Sequence, residues 1–515
     1  MILTQLPEQN LESYGEYPLL HFGERSYSNR EVLELANRLA ALLQQNGVER
    51  GDRVIVCMPN CPEVFFSYQG IMRAGAIVLP AMYLLHPNEI AYIAADSEAK
   101  VVITTAAVLP NVLKGIAELA RKPLILVTDA EAAGVSQDGV RDLYRELAQA
   151  PAEPARPTLE PNDVAVILYT SGTTGRPKGV MLTHKNLYSN AAAAASLADA
   201  YEDKGRSTTI GVLPLAHIYG FTMANVTYLV GGSVVVLPKY ELRAVCAAIE
   251  KYKVRRFSAV PAMIYNMVTD PATDEYDLSS LESVGSGSAP LPVTVLNAFK
   301  AKFGADIYEG YGLSEAAPTV SSHRRGEPIK PGSVGRAFPG VEIRIVDDEG
   351  NDVPVGEPGE LIVRGDNVTP GYYRNEEATR AAIRDGWLYT GDIAKLDEDG
   401  YLYIVDRKKD LIIRGGFNIY PRDLEEMIAK HPAVAEVAVV GAPSAQMGEE
   451  VVAFVVKKPG AEVQETDIIH YCQERLAKYK TPRVVVFVDA LPRSGVGKVL
   501  KRELRDRASA LKLFD

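Results

Sequence analysis

The chain has 515 residues, with 55 Lys+Arg against 66 Asp+Glu and a formal net charge of −11. Single cores stop growing near roughly 250–300 residues, so the length requires at least two domains. The 47% hydrophobic and 23% charged content excludes a disordered or collagen-like chain, and the acidic balance argues against a general nucleic-acid binder. Four cysteines are too few for a disulfide framework, and the close pair Cys57 and Cys61 reads as packed free thiols. The N-terminus has no basic region and no long apolar run, so no secretory signal is expected. The longest apolar stretch, near Gly70–Leu85, is broken by Arg73, Gly75 and Pro80. A membrane span needs roughly 18–20 uncharged apolar residues, so a soluble, cytoplasmic protein is expected.

Helical and strand signals alternate from the start. Ser28 is a plausible N-cap, with Glu31 three residues on, for a helix over Arg30–Asn46. Val54–Cys57 reads as a buried strand, Pro62–Ala74 as a helix and Ala76–Leu79 as a strand. Glu89–Ala95 follows as a helix and Val101–Thr104 as a strand. This is the rhythm of a mostly parallel sheet covered by helices. Pro151–Pro161 reads as a surface linker between subdomains. The rhythm resumes with strands at Val164–Tyr169, Thr208–Leu213, Ser233–Leu237, Arg256–Val260 and Ser283–Gly285, and helices at Ala244–Tyr252 and Val293–Phe303. From Gly332 to Val405 short alternating strands separated by Gly, Pro and Asp turns read as a small β-barrel-like region. The last stretch, about 105 residues, is of ordinary domain size and reads as a compact α+β unit. The fold class is therefore α/β, with a large N-terminal domain and a small α+β C-terminal domain.

The segment Tyr169-Thr170-Ser171-Gly172-Thr173-Thr174-Gly175-Arg176-Pro177-Lys178-Gly179-Val180 follows an apolar strand. Its glycines admit backbone conformations closed to other residues. Thr170, Ser171, Thr173 and Thr174 supply hydroxyls, exposed N–H groups can surround phosphate oxygens, and Lys178 adds a positive charge. It is not a Walker A loop, because no Gly-Lys-Ser/Thr stands in the required frame.

This loop resembles the phosphate-binding signature of the adenylate-forming enzymes, which include acyl-CoA synthetases, luciferases and peptide-synthetase adenylation domains. Further segments match that family in order along nearly the whole chain. Pro214–Gly220 resembles the segment lining the carboxylate pocket, and Glu309-Gly310-Tyr311-Gly312-Leu313-Ser314-Glu315 the adenine and magnesium segment. Tyr389–Asp392 resembles the ribose-binding segment, and Asp406–Asp410 the hinge. Gly415–Pro421 has the form seen in fatty-acyl-CoA synthetases, and Pro492–Lys498 resembles the catalytic-lysine segment. Ser314 stands where many members have Thr, and Arg493-Ser494 where Lys-Thr is frequent; the hydroxyl and the Gly-x-Gly-Lys frame are retained.

The resemblance implies a two-step reaction. A carboxylate attacks the α-phosphate of ATP, giving an acyl-adenylate and pyrophosphate, and the thiol of CoA then displaces AMP. It implies Lys498 as the bridge between carboxylate and α-phosphate, Glu315 as the Mg2+ ligand, and Tyr311 as the adenine-stacking ring. It implies Asp392 and Arg407 on the ribose, and Gly287, Ser288 and Ala289 beside the adenylate. His217 becomes a pocket wall or gate rather than a general base, since the attacking carboxylate is already ionised. The resemblance implies a domain boundary at the hinge, with an N-terminal domain over residues 1–408 and a small, mobile C-terminal domain over 409–515 that rotates about Lys409 and brings Gly415 and Gly416 to a pantetheine tunnel.

The acyl pocket is expected around His217, Tyr219, Gly220, Pro261 and Gly287. The lining segments hold no Arg or Lys to pair a second carboxylate and no Asp to meet an α-amino group. That argues against dicarboxylic and amino acids and leaves a medium- or long-chain fatty acid. An aryl or alicyclic acid is the nearest alternative, followed by transfer to a carrier protein instead of CoA. The intact Lys178, Glu315, Asp392, Arg407 and Lys498 argue against a catalytically dead homologue. No nucleic-acid partner is expected. A monomer or homodimer with at most peripheral membrane contact fits.

Overall fold

A computed structural model describes residues 1–170, 177–199, 207–415, 417–444, 446–493 and 499–511. The chain divides into two compact units. The first comprises Met1–Pro331, Gly335–Glu342 and Val363–Leu388; the second comprises Gly332–Val334, Ile343–Ile362 and Tyr389–Asp515. The architecture is mixed α/β, as the alternation of apolar runs implied.

The main sheet of the first unit has eight strands. Their order is Gly371–Tyr372, Lys178–Thr183, Val164–Thr170, Ile77–Ala81, Arg53–Cys57, Val101–Thr104, Leu124–Val127 and Val140–Asp142. The six from Val164–Thr170 onward run parallel, which is why Val54, Ile55, Val102 and Val166 are buried without alternation. Lys178–Thr183 turns back antiparallel to Val164–Thr170, with Ile167 opposite Met181 and Thr170 opposite Lys178.

The helix Asn29–Gln45 begins where Ser28 Oγ accepts the Glu31 N–H at 3.1 Å. It buries Val32, Ala36, Leu39 and Leu43, the spacing of one helical face. Pro62–Arg73 is buried along its whole length except Glu63 and supports the sheet centre. The stretch Pro151–Pro161 is not a boundary. Strands on either side of it share one sheet, Val78 facing Val166, and Gln44 both donates to and accepts from the Ala155 backbone. Its Pro and Ala content reflects an extended crossover, not a junction between subdomains.

A second sheet runs Arg256–Ala259, Ser283–Ser286, Asp306–Gly312, Thr319–Ser322 and Arg336–Ala337. Its first three strands are parallel, so their C-terminal ends bring Ala259, Ser286 and Glu309 into line. Ligands of open α/β sheets bind beyond such carboxyl ends. The four cysteines are free and buried, and burial pushes the Cys57 thiol up to about 12, as packed thiols require.

In the second unit an antiparallel pair sets Asp392 against Arg407 and Ile393 against Asp406. Beyond it a sheet of Phe417–Ile419, Ile412–Arg414, Gly448–Lys457 and Val434–Ser444, with Val484–Phe487 parallel to Gly448–Lys457, packs against the helices Pro421–Ile428 and Glu465–Gln473. Ile412, Leu424, Ile428, Val439 and Val451 fill its core. No helix among the described residues is long and apolar enough to cross a membrane.

Candidate active site

Ser171, Gly172, Thr173, Thr174, Gly416 and Lys498 lie outside the described residues. The two ends of the phosphate loop do not. Thr170 and Lys178 form the last rung of the hairpin that carries the loop. Both flanks are fastened to the helix Pro87–Ser97. Tyr169 donates its hydroxyl to Asp96 Oδ2 at 2.6 Å, and Tyr92 donates its hydroxyl to the Pro177 carbonyl at 3.1 Å. The two rings meet edge to face, 6.2 Å apart. Burial, then the Asp96 carboxylate, pushes the Tyr169 phenol well above its ordinary value, so it stays a donor. Tyr92 and Asp96 stand one helical turn apart and are additions to the sequence reading. Nothing in their spacing ties them to a loop more than 70 residues away.

Glu315 lies in a short turn, Ser314–Ala316, just past the strand Asp306–Gly312. Its Oε1 accepts the Tyr372 hydroxyl at 2.8 Å, and its backbone carbonyl accepts the Thr369 N–H at 2.8 Å. No group of three or more His, Cys, Asp or Glu side chains forms a metal cage among the described residues. A carboxylate with one oxygen hydrogen-bonded and, among the described residues, no hydrogen bond to the other suits a cation that takes most of its ligands from phosphate and water, the habit of magnesium. Tyr372 was not singled out in the sequence, where Gly371-Tyr372-Tyr373 is an unremarkable strand-like run.

Two expected pocket segments, His217–Phe221 and Ser286–Pro290, meet at Tyr219. A Cβ at Gly287 would stand 3.3 Å from Tyr219 Cε1, and one at Gly285 would stand 3.2 Å from the Tyr219 hydroxyl and 3.4 Å from Ser258 Oγ. Gly220 is fixed by space, because a Cβ there would fall 2.3 Å from the Pro214 carbonyl oxygen. His217 caps the helix Ile218–Val230, its Nδ1 accepting the Tyr219 N–H at 3.2 Å. That bond needs the neutral ring with its proton on Nε2. Pro261 opens the helix Pro261–Thr269. Ser288 has a left-handed backbone at φ 71°, and Ala289 follows it exposed.

Glu309 is buried, and its Oε1 accepts the Leu291 N–H at 3.3 Å, tying the strand to the segment after Ala289. Gly310 and Tyr311 pair with Ser322 and Ser321. Gly312 has no room for a side chain, since a Cβ would fall 2.3 Å from the Pro318 carbonyl oxygen.

In the second unit Arg407 Nε lies 3.5 Å from Asp392 Oδ1. Asp392 is only 8% exposed. Lys408 pairs with Asp348 at 2.7 Å and Glu360 at 3.0 Å, and Glu360 also accepts the Gly391 N–H. Burial, reinforced by Arg407 and Arg505, pushes the Lys409 ammonium down to about 8. Gly415 has φ 57°, and its N–H donates to the Met447 carbonyl.

The family model of the AMP-binding enzymes matches residues 7–373, and that of the AMP-binding enzyme C-terminal domain matches residues 423–498. The long-chain-fatty-acid–CoA ligase of Bacillus subtilis is 36% identical across 97% of this chain and 94% of its own length. A protein of Oryza sativa named 4-coumarate–CoA ligase-like 9 is 38% identical across 94% of this chain and 88% of its own. The crystal structure of ATP-bound MatB from Rhodopseudomonas palustris superposes with a TM-score of 0.90, covering 99% of this chain and all of that one at 33% identity.

Proposed function

We propose that this chain, which belongs to the AMP-binding enzyme family and is an AMP-forming acid–thiol ligase of the acyl-CoA synthetase kind, activates a medium- or long-chain fatty acid. The observation that carries this reading is the convergence on Tyr219. The His217–Phe221 and Ser286–Pro290 segments meet there through an aromatic ring and glycines, with no cationic side chain in either segment. Such a wall accepts an alkyl chain and offers nothing to a second carboxylate. The fatty-acid ligase named in Bacillus subtilis supports the same class. An aryl acid is the second reading, favoured by the rice relative named for 4-coumarate.

In this reading the fatty carboxylate enters beside Tyr219 and Gly287. Lys498 bridges it to the α-phosphate of ATP, where an ammonium on a flexible stem offsets gathering negative charge. Thr170, Ser171, Gly172, Thr173, Thr174 and Lys178 hold the outgoing phosphates. Tyr311 stacks on adenine beside Gly310, Gly312 and Ser314, while Asp392 and Arg407 hold the ribose. Glu315 holds Mg2+, which when bound neutralises phosphate charge. Rotation about Lys409 then removes Lys498 and brings Gly415 and Gly416 to the pantetheine of CoA. A cytoplasmic location belongs to the same proposal.

The test is a panel of acids assayed with ATP and CoA for AMP release and thioester formation. Fatty acids of medium and long chain are expected to give the highest kcat/KM. A maximum for cinnamate-type acids would transfer the assignment to the aryl reading. AMP formation that stalls without thioester would redirect the acceptor to a carrier protein.

A further inference from the structure

We propose that Tyr372 is a positioning residue that serves two ligand-binding groups at once: its hydroxyl aims the Glu315 carboxylate, and its ring seats the Lys178 ammonium while keeping the two opposite charges apart. The inference rests on the assignment of Glu315 to magnesium and of Lys178 to the nucleotide phosphates.

The placement follows from the backbone. Gly371–Tyr372 is the edge strand of the main sheet and pairs antiparallel with Lys178–Thr183, Tyr372 opposite Val180 and Gly371 opposite Met181. Lys178 is therefore the diagonal neighbour of Tyr372, within reach of a long side chain. Its Nζ lies 5.1 Å from the centre of the Tyr372 ring, inside the range of a cation–π contact. The register is locked on both sides. Tyr373 N–H donates to the Gly179 carbonyl at 2.7 Å, and Thr369 N–H donates to the Glu315 carbonyl at 2.8 Å. Gly371 is obligatory in this strap. It has φ 140°, and a Cβ there would meet Thr379 Cγ2 at 2.4 Å.

The electrostatics give the arrangement its use. A glutamate and a lysine that share one neighbour can form a direct ion pair, and such a pair would consume both. Among the described residues Glu315 and Lys178 form no such pair. The phenol satisfies each separately, one with its O–H and the other with its π face. Among the described residues Glu315 keeps its second oxygen for a cation, and Lys178, paired with no carboxylate, keeps the N–H donors that face away from the ring for phosphate oxygens. Groups that orient a metal-binding carboxylate typically carry about 10–100-fold of the metal affinity.

The two halves of this role separate by substitution. Tyr372→Phe removes the hydroxyl and keeps the ring; Tyr372→Leu removes both. Binding of ATP to the full-length protein is measured by calorimetry in excess MgCl2 and again in EDTA, with no acid or CoA present. Tyr372→Phe is expected to weaken binding in MgCl2 by about 10-fold and to leave binding in EDTA within about 2-fold of the parent. Tyr372→Leu should weaken both. Equal binding by Tyr372→Phe and the parent in both buffers would overturn the proposal, and so would an equal loss in both, which marks a structural role only. The Phe variant decides the Glu315 half even where the Leu variant fails to fold, and a folded Leu variant that binds ATP in EDTA as the parent does overturns the Lys178 half. A parent protein that binds ATP equally with and without MgCl2 overturns the Glu315 assignment and the proposal with it. A parent that gains from MgCl2 while Tyr372→Phe loses nothing leaves the assignment standing and removes Tyr372.

Discussion

Gly287 matters for how near its backbone comes to Tyr219. With only 3.3 Å between a notional Cβ and the ring, a leucine at 287 must displace Tyr219 or project into the acyl space. Gly287→Leu is therefore expected to cut kcat/KM for long acyl acids about 10-fold or more, consistent with the cost of overpacking, while propionate and the KM for ATP move little. A chain-length series checks this; a uniform loss would remove Gly287 from the acyl wall. The role proposed for Lys498 depends instead on charge at one step. Lys498→Ala is expected to slow adenylation by on the order of 10²–10³ and to spare thioester formation from supplied acyl-adenylate. Separate assays of the two half-reactions decide it, and an equal loss in both would oppose the role.

At the scale of elements, the helix Pro87–Ser97 does more than cover the sheet. It grips the strand entering the phosphate loop through Asp96 and the segment leaving it through Tyr92. A loop rich in glycine has many conformations to lose on binding, and fixed ends lower that cost. Asp96→Ala leaves the partly buried Tyr169 hydroxyl without its acceptor. It is expected to raise the KM for ATP several-fold and to lower stability by about 1–2 kcal/mol, the lower part of the cost of leaving a polar group unpaired, since this bond is only partly buried. The KM for the acid should be unchanged. Steady-state kinetics and urea denaturation measure the two effects, and an unchanged KM for ATP would sever the helix from nucleotide binding. The segment expected to act as the hinge likewise carries paired charges, with Lys408 held by Asp348 and Glu360, and Arg505 held by Asp410.

Across the whole molecule, distant segments are joined by single buried groups whose ionisation the fold controls. His184 is buried, and its Nδ1 accepts the N–H of Leu3, which is 181 residues earlier. Burial, partly opposed by Asp163, pushes its pKa down to about 4. The unfolded chain takes up this proton near 6.5, so between about 6.5 and 4 the unfolded state binds more protons and stability falls as pH falls. His184→Gln should remove that slope. Between pH 7 and 4.5 the parent should lose on the order of 2–3 kcal/mol more than the variant in urea denaturation. Parallel pH profiles for the two proteins would count against the buried neutral imidazole.

The sequence by itself determined the α/β class, the helices whose apolar spacing is strict and most strands that are continuously apolar. Val293–Phe303 and Val484–Phe487 fall where the pattern put them because burial on one face, or on both, writes itself into residue order. It also set the order of the segments that resemble the family's loop, adenine, ribose and lysine segments, because each is a local run of neighbouring residues. Tertiary structure alone decided what lies opposite what. The strand Lys178–Thr183 returns antiparallel, Pro151–Pro161 stays within one sheet, and Tyr92, Asp96 and Tyr372 reach groups far away in the chain. A hydrogen bond depends on distance and direction in space. A tyrosine that orients a carboxylate 57 residues away looks, in the sequence, like any other strand aromatic.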